Sequence, residues 1–197
     1  MTGIQAAAVS DLADDAPRIR WSNLIWVAAA LAVMVAAIVA GDVFFLNFVH
    51  VLTGVLWTGI DLFMGFVIGP ILRRVDPPAR RAISLKLMPR TLFLMPTLGI
   101  ITPTTGWFLA QTLGFTAMNW PEYGWLMGAL GVSVLLGLLG LGVLLPTNLI
   151  VFLELRKRTP DGARIARLMR RYIYVVALQG SLQVCIVFVM AKFAMGL

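Results

Sequence analysis

Apolar residues do not alternate along this chain with the short periods of a surface helix or strand. They run on in long blocks, broken by brief polar segments. A membrane-spanning helix needs about 20 mostly apolar residues, and five blocks reach that length: 22–40, 43–71, 87–110, 124–153 and 173–195. The second and fourth exceed the minimum, so tilt, kinks or protrusion beyond the bilayer are expected of them. The pattern predicts an all-α, polytopic membrane protein: one five-helix transmembrane domain over 21–197, preceded by a tail at 1–20.

Composition agrees. Of 197 residues 60% are hydrophobic and 13% charged, about half the charged fraction of an ordinary soluble domain. So much apolar side chain cannot be enclosed in one water-soluble core of this size. The lipid bilayer is the expected partner. The net charge of +7 does not point to nucleic acid, because its basic residues are clustered between the apolar blocks. Fourteen of the 16 Lys and Arg residues precede the first block or lie between blocks two and three or four and five, and Arg90 lies just inside the start of block three; Lys192 is the exception. The positive-inside rule then places the N-terminus in the cytoplasm and the C-terminus outside, in a cell inner (cytoplasmic) membrane. Asp11, Asp14 and Asp15 near the start do not fit the basic beginning of a signal peptide. Cys185, the single cysteine, has no intrachain partner.

Polar groups inside the blocks are the candidates for chemistry, because ionisable side chains are costly in a span and normally face the bundle interior. In the second block Asn47, His50, Gly54, Trp57, Asp61 and Gly65 fall on one helical face. His50 and Asp61, 11 residues apart, are separated by about 16 Å of helix axis, too far to pair but able to line one cavity. His50, the only histidine, is a candidate metal or haem ligand or proton shuttle; an interhelical hydrogen bond is the plainer role. In the third block Pro96, Gly99, Pro103 and Gly106 share a face. Prolines this dense free backbone carbonyls that protein or a polar cavity must satisfy. Lys86 and Arg90, at i and i+4, form a potential clamp for a carboxylate or phosphate, or ordinary interfacial anchors. Ser133, Gly137 and Gly140 form a small-residue stripe expected to press on another helix. Pro146-Thr147-Asn148 suggests a kink, and Gln179 and Gln183 share a face suited to interhelical bonds.

The segment His50-Val51-Leu52-Thr53-Gly54-Val55-Leu56-Trp57-Thr58-Gly59 resembles the His-x6-Trp-x-Gly helix of CopD-like and HemJ-type membrane proteins. Lys86-x-Met88-x-Arg90-x-Leu92, with Met95-Pro96 and Gly106, resembles the second signature of the HemJ-type protoporphyrinogen oxidases. The resemblance covers 44–110 well and 165–195 weakly. It implies a helical bundle that binds haem b or another tetrapyrrole and oxidises protoporphyrinogen IX to protoporphyrin IX. His50 would then be the axial metal ligand or a catalytic proton acceptor, with Lys86 also catalytic. Lys86 and Arg90 would meet tetrapyrrole propionates, and Gly54 and Trp57 would make room for and stack on a flat ligand. Family members carry a second histidine in the penultimate helix, where this chain has Pro146-Thr147-Asn148. Two other readings stand beside this one: a non-catalytic accessory subunit, forming homo-oligomers or joining partner membrane subunits, and a metal or small-solute permease.

Overall fold

The computed structural model describes residues 21–157 and 159–196, so the proposed tail at 1–20 lies outside the described residues. Five helices are long and apolar enough to cross a membrane. They are α1 (Asn23–Ala40), α2 (Val43–Arg74), α3 (Pro77–Thr112), α4 (Tyr123–Leu155) and α5 (Gly162–Ala194). No strand occurs among the described residues. The protein is an all-α, multi-pass membrane protein.

Each apolar block coincides with one helix, but two helices begin much earlier than hydropathy suggests. α3 starts at Pro77 and α5 at Gly162, because a helix can continue into the polar phase, where hydropathy no longer marks it. Local chemistry starts both. Asp76 accepts from Ala79 N at 3.2 Å, with proline in the first helical turn, where the missing N–H breaks no helical bond. Asp161 accepts from Arg164 N at 2.9 Å. Asp42 caps α2 likewise through Phe45 N at 2.7 Å, after Gly41 ends α1 at φ +66°.

The Arg164 N–H holds the Asp161 carboxyl below its usual range, assisted by Ala163 N–H and the charges of Arg167 and Arg164. A lowered folded-state pKa means that the cap's contribution is complete above the unfolded value of about 3.9 and lost as pH falls through the folded one. Asp161→Ala should therefore lower the unfolding midpoint at neutral pH, and the gap to the parent protein should close on acidification. A gap constant with pH would contradict this assignment.

α3 is the central helix. A third of its spanning window (33%) is buried, against 6–17% for the other four. It packs on α1, α2 and α4, while α5 packs on α4 and α2. Two cores result. Ala37, Leu46, Val49, Ile101 and Leu109 join α1, α2 and α3; Trp57, Leu98 and Leu136 join α2, α3 and α4, with Leu182 and Ile186 of α5 against them. Pro89, Pro96 and Pro103 lie seven residues apart within α3, on one face.

α2 and α4 share a further device. Each contains one π-helical turn, Met64–Ile68 and Gly140–Leu144, and each has a proline two residues beyond it, at Pro70 and Pro146. A proline clashes with the carbonyl four residues back. The wider turn relieves that clash without breaking the helix.

Among the described residues the basic side chains other than Lys192 gather at one end. Arg81 of α3 donates to the Leu155 carbonyl at 3.0 and 2.8 Å and to the Lys157 carbonyl at 3.0 Å. This places a cation on the negative end of α4. Glu154, only 3% exposed, accepts from Lys157 Nζ at 2.8 Å, Arg164 Nη1 at 3.3 Å and Asp161 N at 3.2 Å. The α4–α5 connection is thus knotted around one carboxylate. Trp21 and Trp120, each 72% exposed, lie beside helix ends, as interfacial indoles do.

Candidate functional site

His50 lies between α2 and α3. Its Nδ1 is 2.9 Å from the Thr102 carbonyl oxygen, which can only accept, so Nδ1 carries the proton and Nε2 keeps its lone pair. Thr105 Oγ1 is 3.5 Å from the same nitrogen. The ring lies tightly on Gly106: a Cβ there would be 2.7 Å from Cε1 and 3.0 Å from Nδ1. Gly106 therefore creates the seat of the imidazole. Gly54 and Trp57 also point at α3, but helix packing fills the space assigned to a flat ligand. A Cβ at Gly54 would be 3.3 Å from Thr102 Cγ2, and a Cβ at Gly99 would be 3.6 Å from Trp57 Cζ2. Trp57 is 7% exposed. Asn47 departs from the expected stripe and is exposed, because it lies at the edge of the face and in the first helical turns.

Lys86 and Arg90 are exposed and make no hydrogen bond or ion pair among the described residues. Lys86 is 16 residues before Thr102 in one helix, or about 24 Å along its axis. The structure does not bring His50 and Lys86 together. A haem fits these residues only in part. Nδ1 bonded to a backbone carbonyl is the arrangement that orients a metal-ligating histidine. The α2–α3 seam leaves no room for the macrocycle beside Gly54 and Trp57, and Lys86 and Arg90 are too distant for its propionates. Among the described residues no group of three or more His, Cys, Asp or Glu is placed to hold a metal ion.

The polar centre of the bundle is elsewhere. Asp61 Oδ2 accepts from Gln179 Nε2 at 2.6 Å and Gln183 Nε2 at 2.7 Å, tying α2 to α5. The glutamines are 3% and 1% exposed. Their Oε1 atoms have no hydrogen-bond partner among the described residues, which is costly inside a bundle. Asp61 has no ion-pair partner among them either. Beside it is a cleft of about 50 Å³ walled by Asp61, Gln179, Asn148, Tyr172, Trp57 and α3 around Pro96. Asn148 Nδ2 donates to Tyr172 Oη at 3.3 Å, leaving the Asn148 Oδ1 as an acceptor. Leu92 and Gly99, whose carbonyls lose their i+4 donors to Pro96 and Pro103, also line the cleft. The π turn of α4 begins at Gly140, where a Cβ would be 3.8 Å from Gln179 Oε1.

Sequence reasoning placed Asp61 and the two glutamines toward the bundle interior without pairing them, and it missed Tyr172. A tyrosine following the Arg170-Arg171 pair reads as an interfacial anchor, and no local signal distinguishes the two roles. The small-residue stripe needs correction. Gly137 presses on nothing, since a Cβ there would meet no atom within 4 Å; it lines the cleft instead. Gly137→Leu should therefore fill the cleft and leave the unfolding free energy in detergent free of alkali cations within about 0.5 kcal/mol of the parent. A large loss of stability would restore the packing role.

The fold and site define a five-span helical membrane protein with an unpaired carboxylate beside an oxygen-lined cleft. The chain matches no protein-family model, no curated protein and no solved structure.

Proposed function

We propose that this chain takes a proton or a small cation into the bilayer interior at Asp61. One observation carries the reading: a carboxylate within a span, clamped by two buried amides, faces a cleft walled by further oxygen acceptors. Intramembrane carboxylates of this kind mark ion and proton paths. Asp61 is 13 residues from the end of α2 at Arg74 and 18 from its start at Val43, so it is nearer the basic end. By the positive-inside rule that end faces the cytoplasm, with the C-terminus outside a cytoplasmic membrane. In proteoliposomes under an imposed pH or cation gradient, the parent protein should accelerate ion entry and Asp61→Asn should not. Equal rates for the two would overturn the reading.

His50 supports a second reading, a haem- or porphyrin-binding protein resembling the HemJ type. With Nδ1 bonded to the Thr102 carbonyl, Nε2 is the nitrogen that would hold the iron. Purified protein would then carry a Soret band and stoichiometric haem by pyridine haemochrome assay, and His50→Ala would lose the band while remaining helical. A colourless preparation removes this reading. A preparation that is also inactive in the ion assay leaves the accessory subunit.

A further inference from the structure

We propose that the cleft between α2, α3, α4 and α5 is a binding site for a monovalent alkali-metal cation, ligated through Asp61, Gln179, Asn148 and Tyr172. The proposal rests on the reading of Asp61 given above and narrows its ligand.

Donor chemistry comes first. Apart from Trp57, whose indole N–H only donates, the polar side chains on the cleft offer oxygen: the Asp61 carboxylate, Gln179 Oε1, Asn148 Oδ1, Tyr172 Oη and Thr91 Oγ1. Gln179 is 97% buried by its 3% exposure, yet its Oε1 has no donor among the described residues. A buried acceptor without a donor is a place where a cation, rather than another hydrogen-bond acceptor, is favourable. Hard cations take carboxylate and carbonyl oxygen, whereas transition metals select imidazole and thiolate. His50 is about 16 Å away along α2, and Cys185 is exposed.

Charge decides the valence. One carboxylate faces the cleft, with no ion-pair partner among the described residues. A monovalent cation makes the buried assembly neutral. A divalent ion would leave a net positive charge within the span, which is unfavourable in that environment. Tyr172 is the other titratable group on the cleft wall, and as a neutral phenol it adds no charge.

Size decides between an ion and a metabolite. Sites enclosing drug-sized molecules measure about 300–1,000 Å³, against about 50 Å³ here. One water needs about 10–15 Å³ measured this way, so an ion with a few waters fits. Gln183, whose Nε2 holds the same Asp61 oxygen as Gln179, is off the cleft lining and acts as a positioning residue for the carboxylate.

The test is the unfolding midpoint of the purified full chain in detergent, titrated with NaCl or KCl against N-methyl-D-glucamine chloride at constant ionic strength. The midpoint should rise saturably with at least one alkali cation. The rise should vanish in Asp61→Asn, and Gln179→Leu should weaken apparent affinity about tenfold, the factor of an interaction worth about 1.4 kcal/mol. Gly137→Met, which fills the cleft and leaves the Asp61 carboxylate in the chain, should also abolish it, and serves if Asp61→Asn does not fold. Identical midpoints in all three salts would overturn the cation site. If proton entry into alkali-free proteoliposomes still depended on Asp61, the broader reading would survive that failure. If neither assay depended on Asp61, both would fall.

Discussion

Asp61→Ala should be among the most destabilising single substitutions in the bundle, by about 1–4 kcal/mol. Two amide donors converge on one carboxylate oxygen at 2.6 and 2.7 Å. Bonds to a charged group contribute about 1.5–3 kcal/mol each in soluble proteins. Within membranes the average is nearer 0.6 and the maximum about 1.7 kcal/mol, because the separated helices also find partners. Truncation removes both bonds and leaves two amide N–H groups buried on α5. The asymmetry between breaking an interaction and replacing all of it gives a sharper check. Asp61→Leu combined with Gln179→Leu and Gln183→Leu should be less damaging than Asp61→Ala alone, since no buried donor is left unmatched. Chemical or thermal unfolding in one detergent measures both. If Asp61→Ala were neutral, the clamp would have no energetic role, and its place at the centre of the proposed site would be lost.

Gly106→Ala should have the second large effect, about 1–3 kcal/mol, which is typical of overpacking. The added methyl would be 2.7 Å from His50 Cε1, closer than carbon atoms tolerate. Backbone yields poorly at a central helix, so the imidazole must move and lose its bond to the Thr102 carbonyl. The two residues are therefore coupled. His50→Ala should remove most of the cost of Gly106→Ala, so that the double variant is more stable than the sum of the single effects predicts. Strict additivity would show that the glycine serves something other than the ring. The same experiment bears on the haem reading: if Nε2 carries a metal, Gly106→Ala should shift or abolish the Soret band along with the midpoint.

The number of spans, their approximate limits and the basic end of the bundle are all properties of the sequence alone. Partition into lipid sums over about 20 consecutive side chains, so any block such as 22–40 or 173–195 declares itself without reference to its neighbours. Capping is also local. Asp76 before Pro77-Pro78 and Asp161 before Gly162 could have extended α3 and α5 to their true starts, because N-cap and proline signals need no tertiary contact. The inward direction of His50, Trp57 and Asp61 was legible from helical periodicity and the cost of polar groups in hydrocarbon. The identity of their partners was not. Asp61 meets Gln179 and Gln183 across 118 and 122 residues, and several polar residues in other spans would have suited it equally. The cleft depends on where Pro96, Gly137, Asn148 and Tyr172 come to rest on three helices. That follows from the relative rotation and depth of packed helices, and lipid-driven hydropathy fixes neither. Gly54, Trp57 and Gly106 show the same limit: a face of small and aromatic residues can hold a cofactor or another helix, and the close contacts of Gly54 with Thr102, Trp57 with Gly99 and Gly106 with His50 arise only in the packed bundle.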